Sequence, residues 1–425
     1  MNQEERLFGL IEELYPICRS ISGDGVRKSL QIIQKHIPVQ VQELLTGTPV
    51  FDWSIPKEWN IKEAWIKNSK GEKVVDFDDS NLHVLNYSVP VDQVVALEEL
   101  KNHLYTLPDQ PDLIPYRTSY YKEDWGFCLS HNQLMQLEEG DYHVYIDATL
   151  LEGSMTHGEL YIEGHTPDEV LISCHICHPS LCNDNLSGIS VAVHLAQYLL
   201  QEDLKYSYRF LFIPGTIGSI AWLARNEDKT ERIKYGLVLS CVGDAGQITY
   251  KKSRRGRAEI DRIVEQVLAG SAESYEVRDF TPYGYDERQF CSPAFDLPVG
   301  CFMRTPFGEF PEYHTSADNL ELMEPEALAD SLSKLKSIVG VIESNGTYLN
   351  LNPKCEPNLG RRGLYKLTGG DTESEINQLA ILWVLNLSDG SHSLLDIAER
   401  SGISFQTIRQ AADALLEVDL LKKVR

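Results

Sequence analysis

The sequence predicts an α/β fold on a sheet with parallel strands, carrying an inserted β-rich domain and a C-terminal winged helix-turn-helix. Three observations predict it. Apolar runs of strand length alternate with helical stretches over 159–350, as they do where helices join parallel strands. Short alternating runs broken by Pro, Gly and Asp interrupt the chain over 49–158. Residues 355–425 read as helix, tight turn, helix and final strand.

Residues 1–48 belong with the α/β part and open as two helices. Leu7, Leu10, Ile11 and Leu14 share one helical face, and Val26, Leu30, Ile33 and Ile37 another. Arg19–Gly25 joins them, with Ser22 or Asp24 available as a cap. It reads as an ordinary connection, with Arg19 and Asp24 lining a cleft as the less favoured alternative. In the insertion, Lys73–Phe77 and Tyr142–Asp147 have strand character. Trp53, Pro56, Trp59 and Trp65 fit a small β core better than an aromatic recognition surface. The α/β part resumes with strands at Leu160–Ile162, Val170–Ser173, Tyr208–Ile213 and Leu237–Val242, and helices at 188–200 and 218–225.

Pro353, Pro357 and Gly360–Gly363 mark a linker. Thr372 with Glu375 makes a capping box for the next helix. Ser393 caps a short helix, Gly402 breaks it, and Ser404 caps a helix carrying Ile408, Ala411, Leu415 and Leu416. That helix offers Arg409 beside Asp413 and Glu417, too little positive charge to read DNA. The C-terminal unit is expected to serve interaction or homo-oligomerisation.

At 425 residues the chain is too long for one ordinary core. A formal net charge of −24 argues against general binding of nucleic acid or anionic membranes. The N-terminal stretch lacks the basic flank and apolar run of a signal peptide, and no run is long enough to span a bilayer. Nine cysteines, an odd number scattered along the chain, fit a reduced, cytoplasmic protein.

The chemical signal concentrates in Glu169–Ser190, EVLISCHICHPSLCNDNLSGIS. A buried-strand pattern ends in Cys174-His175-Ile176-Cys177-His178; the turn Asn183-Asp184-Asn185 and a small-residue helix start follow. Ligands of open α/β sheets bind beyond the carboxyl ends of strands. Two imidazoles and a carboxylate there suit a catalytic zinc with one position left open. The same residues match the c-type haem pattern C-x-x-C-H, but haem attachment requires export. A structural zinc would want a second Cys pair, which Cys182 and Cys241 do not supply, and a redox C-x-x-C opens a helix. Leu237–Asp244 is another apolar strand ending in a carboxylate. Arg304–Asn319 is a structured loop in which His314 can supply a distant ligand and Glu309 or Glu312 a proton acceptor.

CHPSLCNDNLSG, the strand-end Asp244 and PEYHTSADNL resemble the zinc aminopeptidases related to bacterial leucyl aminopeptidase and glutamate carboxypeptidase. DWSIPKEWNI, PGTIGSIAWL and DERQF extend the resemblance over nearly the whole chain, to bacterial aminopeptidase-like proteins with an inserted β domain and a C-terminal winged helix. The resemblance implies a zinc-exopeptidase-like mixed sheet flanked by helices. It implies zinc held by His175 or His178, Asp184, Asp244 and His314, and cleavage of an N-terminal amino acid or related amide from a peptide or small amide substrate. Position and charge, not the resemblance, suggest that Asp286 or Glu287 holds the substrate amine and that Arg304 stabilises the oxyanion, with Tyr313 as a substrate contact.

One departure stands out. The family's Glu-Glu pair is missing from Phe212–Ser219, FIPGTIGS. The base would then be Glu287, Glu309 or Glu312, and one zinc is expected rather than two. Loss of a positioned base costs on the order of 10²–10⁴ in rate. A non-catalytic metal- or ligand-binding protein, and a deacylase of an amino-sugar derivative, therefore stand as alternatives.

Overall fold

Eight strands form the central mixed sheet of the structure, a computed structural model that describes residues 2–271, 273–364 and 372–424, with backbone alone at 372–377. The capping box read at Thr372 and Glu375 lies outside the described side chains. In chain order the strands are β1 (Gln40–Leu45), β2 (Ser154–Ile162), β3 (Glu169–His175), β4 (Ser207–Ile213), β5 (Ile233–Leu239), β6 (Ile248–Lys251), β7 (Tyr275–Arg278) and β8 (Val299–Met303). They lie in the order β1-β2-β4-β3-β5-β8-β6-β7. β3 pairs in parallel with β4 and β5, and β5 with β8, while β2 and β6 run antiparallel to β4 and β8.

β3 and β4 are buried at every position, which is why they read as unbroken apolar runs instead of alternating ones. Arg209 on β4 forks onto Glu169 of β3 at 2.7 and 2.9 Å and also reaches Glu159 of β2. The bidentate geometry offsets the desolvation of these ions and fixes the alignment of three neighbouring strands. β5 ends at Leu239, earlier than the apolar run to Val242 suggested, although Ser240 N–H still donates to the Phe302 carbonyl of β8.

Four helices matter to the site: α1 (Gln3–Leu14), α2 (Asp24–Ile33), α3 (Gly188–Leu199) and α4 (Ile217–Arg225). α3 packs on β3, β4 and β5 and against α1, whose buried stripe is Leu7, Leu10, Ile11 and Leu14. The N-cap of α2 is Gly23, with no side-chain cap from Ser22 or Asp24. The Ser22 hydroxyl instead accepts from the Trp59 backbone N–H at 3.1 Å, tying this turn to the insertion. Gly23 has φ +95°, and a Cβ there would lie 1.9 Å from the Trp59 carbonyl, so the contact requires glycine.

The insertion holds a four-stranded antiparallel sheet in the order Lys73–Asp76, Glu58–Lys67, Asp141–Leu151, Val91–Ala96. Trp59 is buried in it and stacks on Tyr87, Trp65 stacks on Tyr145, and Trp53 is exposed. Its core of Ile66, Val144, Ile146, Leu100 and Phe127 runs on into Ile217, Ile220 and Ala221 of α4. The insertion and α4 thus bury one apolar surface together.

The chain divides into two compact units, 1–260 with 275–333, and 261–274 with 334–425. In the second, Thr347–Asn350 pairs antiparallel with Asp389–Ser393 and Leu421–Lys423. Its helices are Thr372–Leu387, Leu394–Ser401 and Phe405–Glu417. Ser393 and Asp396 form a reciprocal capping box, Gly402 ends that helix at φ +69°, and the Ser404 hydroxyl accepts from the Thr407 N–H. No helix among the described residues is long and apolar enough to cross a membrane.

Candidate metal centre

β3 ends in His175, and the chain must then turn back to begin α3. The turn is held by its own polar side chains against the residues that follow β5. Asn183 accepts from the Gly243 N–H at 3.0 Å and donates to Asp244 at 2.8 Å. Asn185 donates to the Leu239 carbonyl at 2.9 Å and accepts from the Gly188 N–H at 3.2 Å. Ser187 donates to the Asn183 carbonyl and accepts from the Val242 N–H. A Cβ on Gly188 would come within 2.7 Å of the Leu239 carbonyl oxygen, so the motif ends in glycine.

Asp184, fully buried between these anchors, faces the histidines. Its Oδ1 lies 2.8 Å from His175 Nε2, and its Oδ2 lies 2.9 Å from His314 Nε2 and 3.8 Å from His178 Nε2. Ligand atoms of His175, His178 and Asp184 all fall within 4.8 Å of one another. Burial would raise the Asp184 carboxyl, but the proximity of His178 and His175 and the hydrogen bonds with His175 and His314 hold it well below the usual range. Burial pushes His178 down to about 3. An ionised carboxylate beside a neutral imidazole is the state a divalent metal needs.

Two imidazoles and a carboxylate, His175, His178 and Asp184, are donors of the kind a zinc ion takes, and His314 adjoins them through Asp184.

Aromatic rings and a second carboxylate fix the ligands. Tyr285 donates its hydroxyl to Asp184 Oδ1 at 2.5 Å and stacks on His175 with 4.4 Å between centroids. Tyr313 stacks on His314 at 3.9 Å, and its hydroxyl lies 3.2 Å from that of Tyr285. Asp318 accepts from the backbone N–H groups of Asn183 and Asp184 at 2.6 and 3.0 Å, and burial raises its carboxyl to about 8. Arg19, buried, donates to the His178 carbonyl at 2.9 Å.

The insertion also reaches the centre. Tyr116 lies edge-on to His314 and tilted against His178, both at 5.1 Å. Its segment is stitched to the His314 loop by Tyr116 N–H to the His314 carbonyl at 2.7 Å and by Ser316 N–H to the Ile114 carbonyl at 2.8 Å.

Four of the five expected ligands converge, His175 and His178 both among them. Asp244 does not join them. Its carboxylate accepts from the Gly246 N–H, the Thr305 N–H and hydroxyl, and Asn183, so it braces the turn. Arg304 is committed to the Gly246 and Ala327 carbonyls and to Asp330. Glu309 is forked onto Arg278, and Glu312 lends its carbonyl to Thr315. Glu287 is buried in an ion pair with Lys251 at 2.8 Å. Asp286 accepts from the Thr216 N–H and the Ser219 hydroxyl through Oδ1, while its buried Oδ2 has no hydrogen-bond partner. Tyr116, Tyr285 and Asp318 were not anticipated. Asp318 sits inside the motif PEYHTSADNL and Tyr285 immediately precedes DERQF, whereas nothing local to Tyr116 marks it.

Comparison with known proteins divides the chain near residue 345. A family model described as "Domain of unknown function (DUF4910)" matches residues 8–345, and one described as "winged helix-turn-helix" matches 346–423. A Clostridium acetobutylicum relative named "Putative polysaccharide biosynthesis protein with aminopeptidase-like domain" is 56% identical over 98% of this chain and 96% of its own. A crystal structure described as a "putative peptidase" from Clostridium acetobutylicum is similar at 55% identity and TM-score 0.95, over 99% of this chain and 96% of that one. The zinc aminopeptidase BSAP of Bacillus subtilis shares the fold at TM-score 0.58 and 15% identity, over 80% of this chain and 95% of its own. The chain belongs to the family described as Domain of unknown function (DUF4910), on an aminopeptidase-like fold followed by a winged helix.

Proposed function

We propose that this protein is a zinc-dependent amide hydrolase of aminopeptidase type, using one metal. The observation that carries the reading is the buried Asp184 carboxylate set among His175, His178 and His314 beyond the end of β3. Zinc held there would supply Lewis-acid polarisation of the scissile carbonyl.

The chain's own groups do the rest. The hydroxyl of Tyr313, beside that of Tyr285, is a donor for an oxygen that gains charge in the transition state, while the Tyr285 proton stays on Asp184. Asp286 is the proton acceptor in place of the missing Glu pair. Thr216 and Ser219 fix one of its oxygens, the other is unpartnered, and burial raises its carboxyl above the ordinary value. Glu287 and Glu309 are already neutralised by Lys251 and Arg278.

A second reading keeps this chemistry and changes the substrate to an N-acylated amino sugar; the name of the Clostridium acetobutylicum relative supports it. The test is elemental analysis of the wild type beside Asp184→Ala and His314→Ala, then hydrolysis of amino-acid arylamides and of N-acetylated amino sugars with and without chelator. About one zinc per chain, lost in both variants, is expected. No stoichiometric metal, or metal indifferent to both substitutions, overturns the proposal.

A further inference from the structure

Soluble proteins rarely gather exposed aromatic rings in one place. The insertion does so. The hairpin Pro49–Val50 with Trp53–Ser54 leaves Phe51 54% and Trp53 46% exposed, and the segment beyond Tyr116 leaves Tyr120 60% and Tyr121 43% exposed. Trp53 and Tyr121 meet edge to face at 5.9 Å, and Tyr120 lies 6.4 Å from Tyr121. Trp53 and Tyr121 line a cavity of about 370 Å³, together with Asp52, Ser54, Lys57 and Glu123.

Two observations mark this cleft as built for a ligand. Phe51, Tyr87 and Tyr120 hold φ of +56°, +75° and +51°, a costly conformation for bulky side chains. Tyr87 lines the cavity, and Phe51 and Tyr120 are neighbours of Trp53 and Tyr121 in the chain. The cleft is also joined to the centre by a short run of chain: Tyr116 rests on His178 and His314, and five residues of chain limit Tyr121 to roughly 17 Å from Tyr116.

We propose that this cleft is a saccharide subsite that holds an N-acylated amino sugar with its amide directed to the metal centre. The last clause rests on the hydrolase reading, and the sugar site does not. A pyranose presents apolar C–H faces that stack on aromatic rings and a girdle of hydroxyls that need donors and acceptors at the ring edges. Trp53 and Tyr121 supply the faces; Asp52, Glu123, Lys57 and Ser54 supply the partners. An apolar peptide side chain would fill the same space but strip water from those polar groups without replacing it.

Calorimetric titration of the full-length protein with N-acetylglucosamine and its β-1,4-linked dimer, beside the dipeptide amide Ala-Phe-NH2, tests this. The dimer is expected to bind. Trp53→Ala and Tyr121→Ala are each expected to weaken it roughly tenfold, while Trp53→Phe, which keeps a ring face, retains it. Absence of saccharide binding, binding unchanged in both alanine variants, or tighter binding of the dipeptide amide overturns the subsite. Zinc content measured on the same samples separates the two readings: zinc without sugar binding removes the subsite alone, and sugar binding without zinc removes the hydrolase alone.

Discussion

Asp184 works as a ligand only if its oxygens stay aimed at the histidines, and Tyr285 is the group that holds Oδ1 from outside the ligand set. Tyr285→Phe keeps the ring on His175 and removes that hydrogen bond. Zinc affinity, read by competition with a chromogenic chelator, is expected to fall about 10–100-fold with thermal stability little changed. Asp286→Asn separates binding from proton transfer. The expected outcome is unchanged zinc content with hydrolysis slowed on the order of 10²–10⁴; full activity in this variant would return the search for a base to other groups. These residues also show how far sequence carried. His175 and His178 were legible as candidates because imidazoles at a strand end are chemically unusual, and Asp184 and His314 only through the motifs NDNLSG and YHTSADN. Asp244 shows the boundary, since a carboxylate after a strand reads the same whether it faces a cleft or accepts from Gly246 and Thr305.

Elements were legible where their periodicity is strong, as in β3, β4 and α1, and less so where tertiary contacts choose among local options. Ser22 is a good cap by composition, yet it bonds Trp59 of the insertion and leaves the cap to Gly23. The insertion was readable as β-rich. Its role in covering the centre through Tyr116 depends on pairings between residues some 200 positions apart, such as Ile114 with Ser316, which no local pattern encodes. The join between α2 and the insertion carries a pH signature. Arg27 forks onto Glu58 at 2.6 and 2.8 Å, and that interaction, reinforced by the Ser154 N–H, lowers Glu58 from 4.5 to about 2. A depressed carboxyl contributes stability that is present above its unfolded value and is lost as pH falls through its folded one. The gap in unfolding temperature between wild type and Glu58→Gln is therefore expected to be constant near neutrality and to close between about pH 4.5 and 2. A gap that does not narrow over that range would show that the fork contributes no charge-dependent stability.

At the scale of the whole molecule, charge decides what the winged helix can do. The chain carries a net −24, and a duplex is bound chiefly by neutralising phosphates, several cations to a site. In the helix Phe405–Glu417, which stands where a recognition helix would, Arg409 is the one basic residue, and its guanidinium lies 3.7 Å from Asp413. Its apolar side is already spent inside the unit, with Phe405, Ile408, Ala411, Ala412 and Leu415 buried. A helix so disposed has no set of cations to offer the phosphates on either side of a groove. The expected outcome is that micromolar full-length protein leaves a labelled 30-base-pair duplex unshifted in a gel at roughly 50 mM salt, conditions that favour even non-specific binding. Sedimentation velocity over a hundredfold range of concentration is the companion measurement, because the same domain is proposed to serve self-association. Retardation that weakens steeply with added salt would assign the unit to nucleic acid after all. A concentration-dependent increase in sedimentation coefficient without retardation would place it at a protein interface, where a net-acidic, folded three-helix unit is at no electrostatic disadvantage once its contacts are short-ranged.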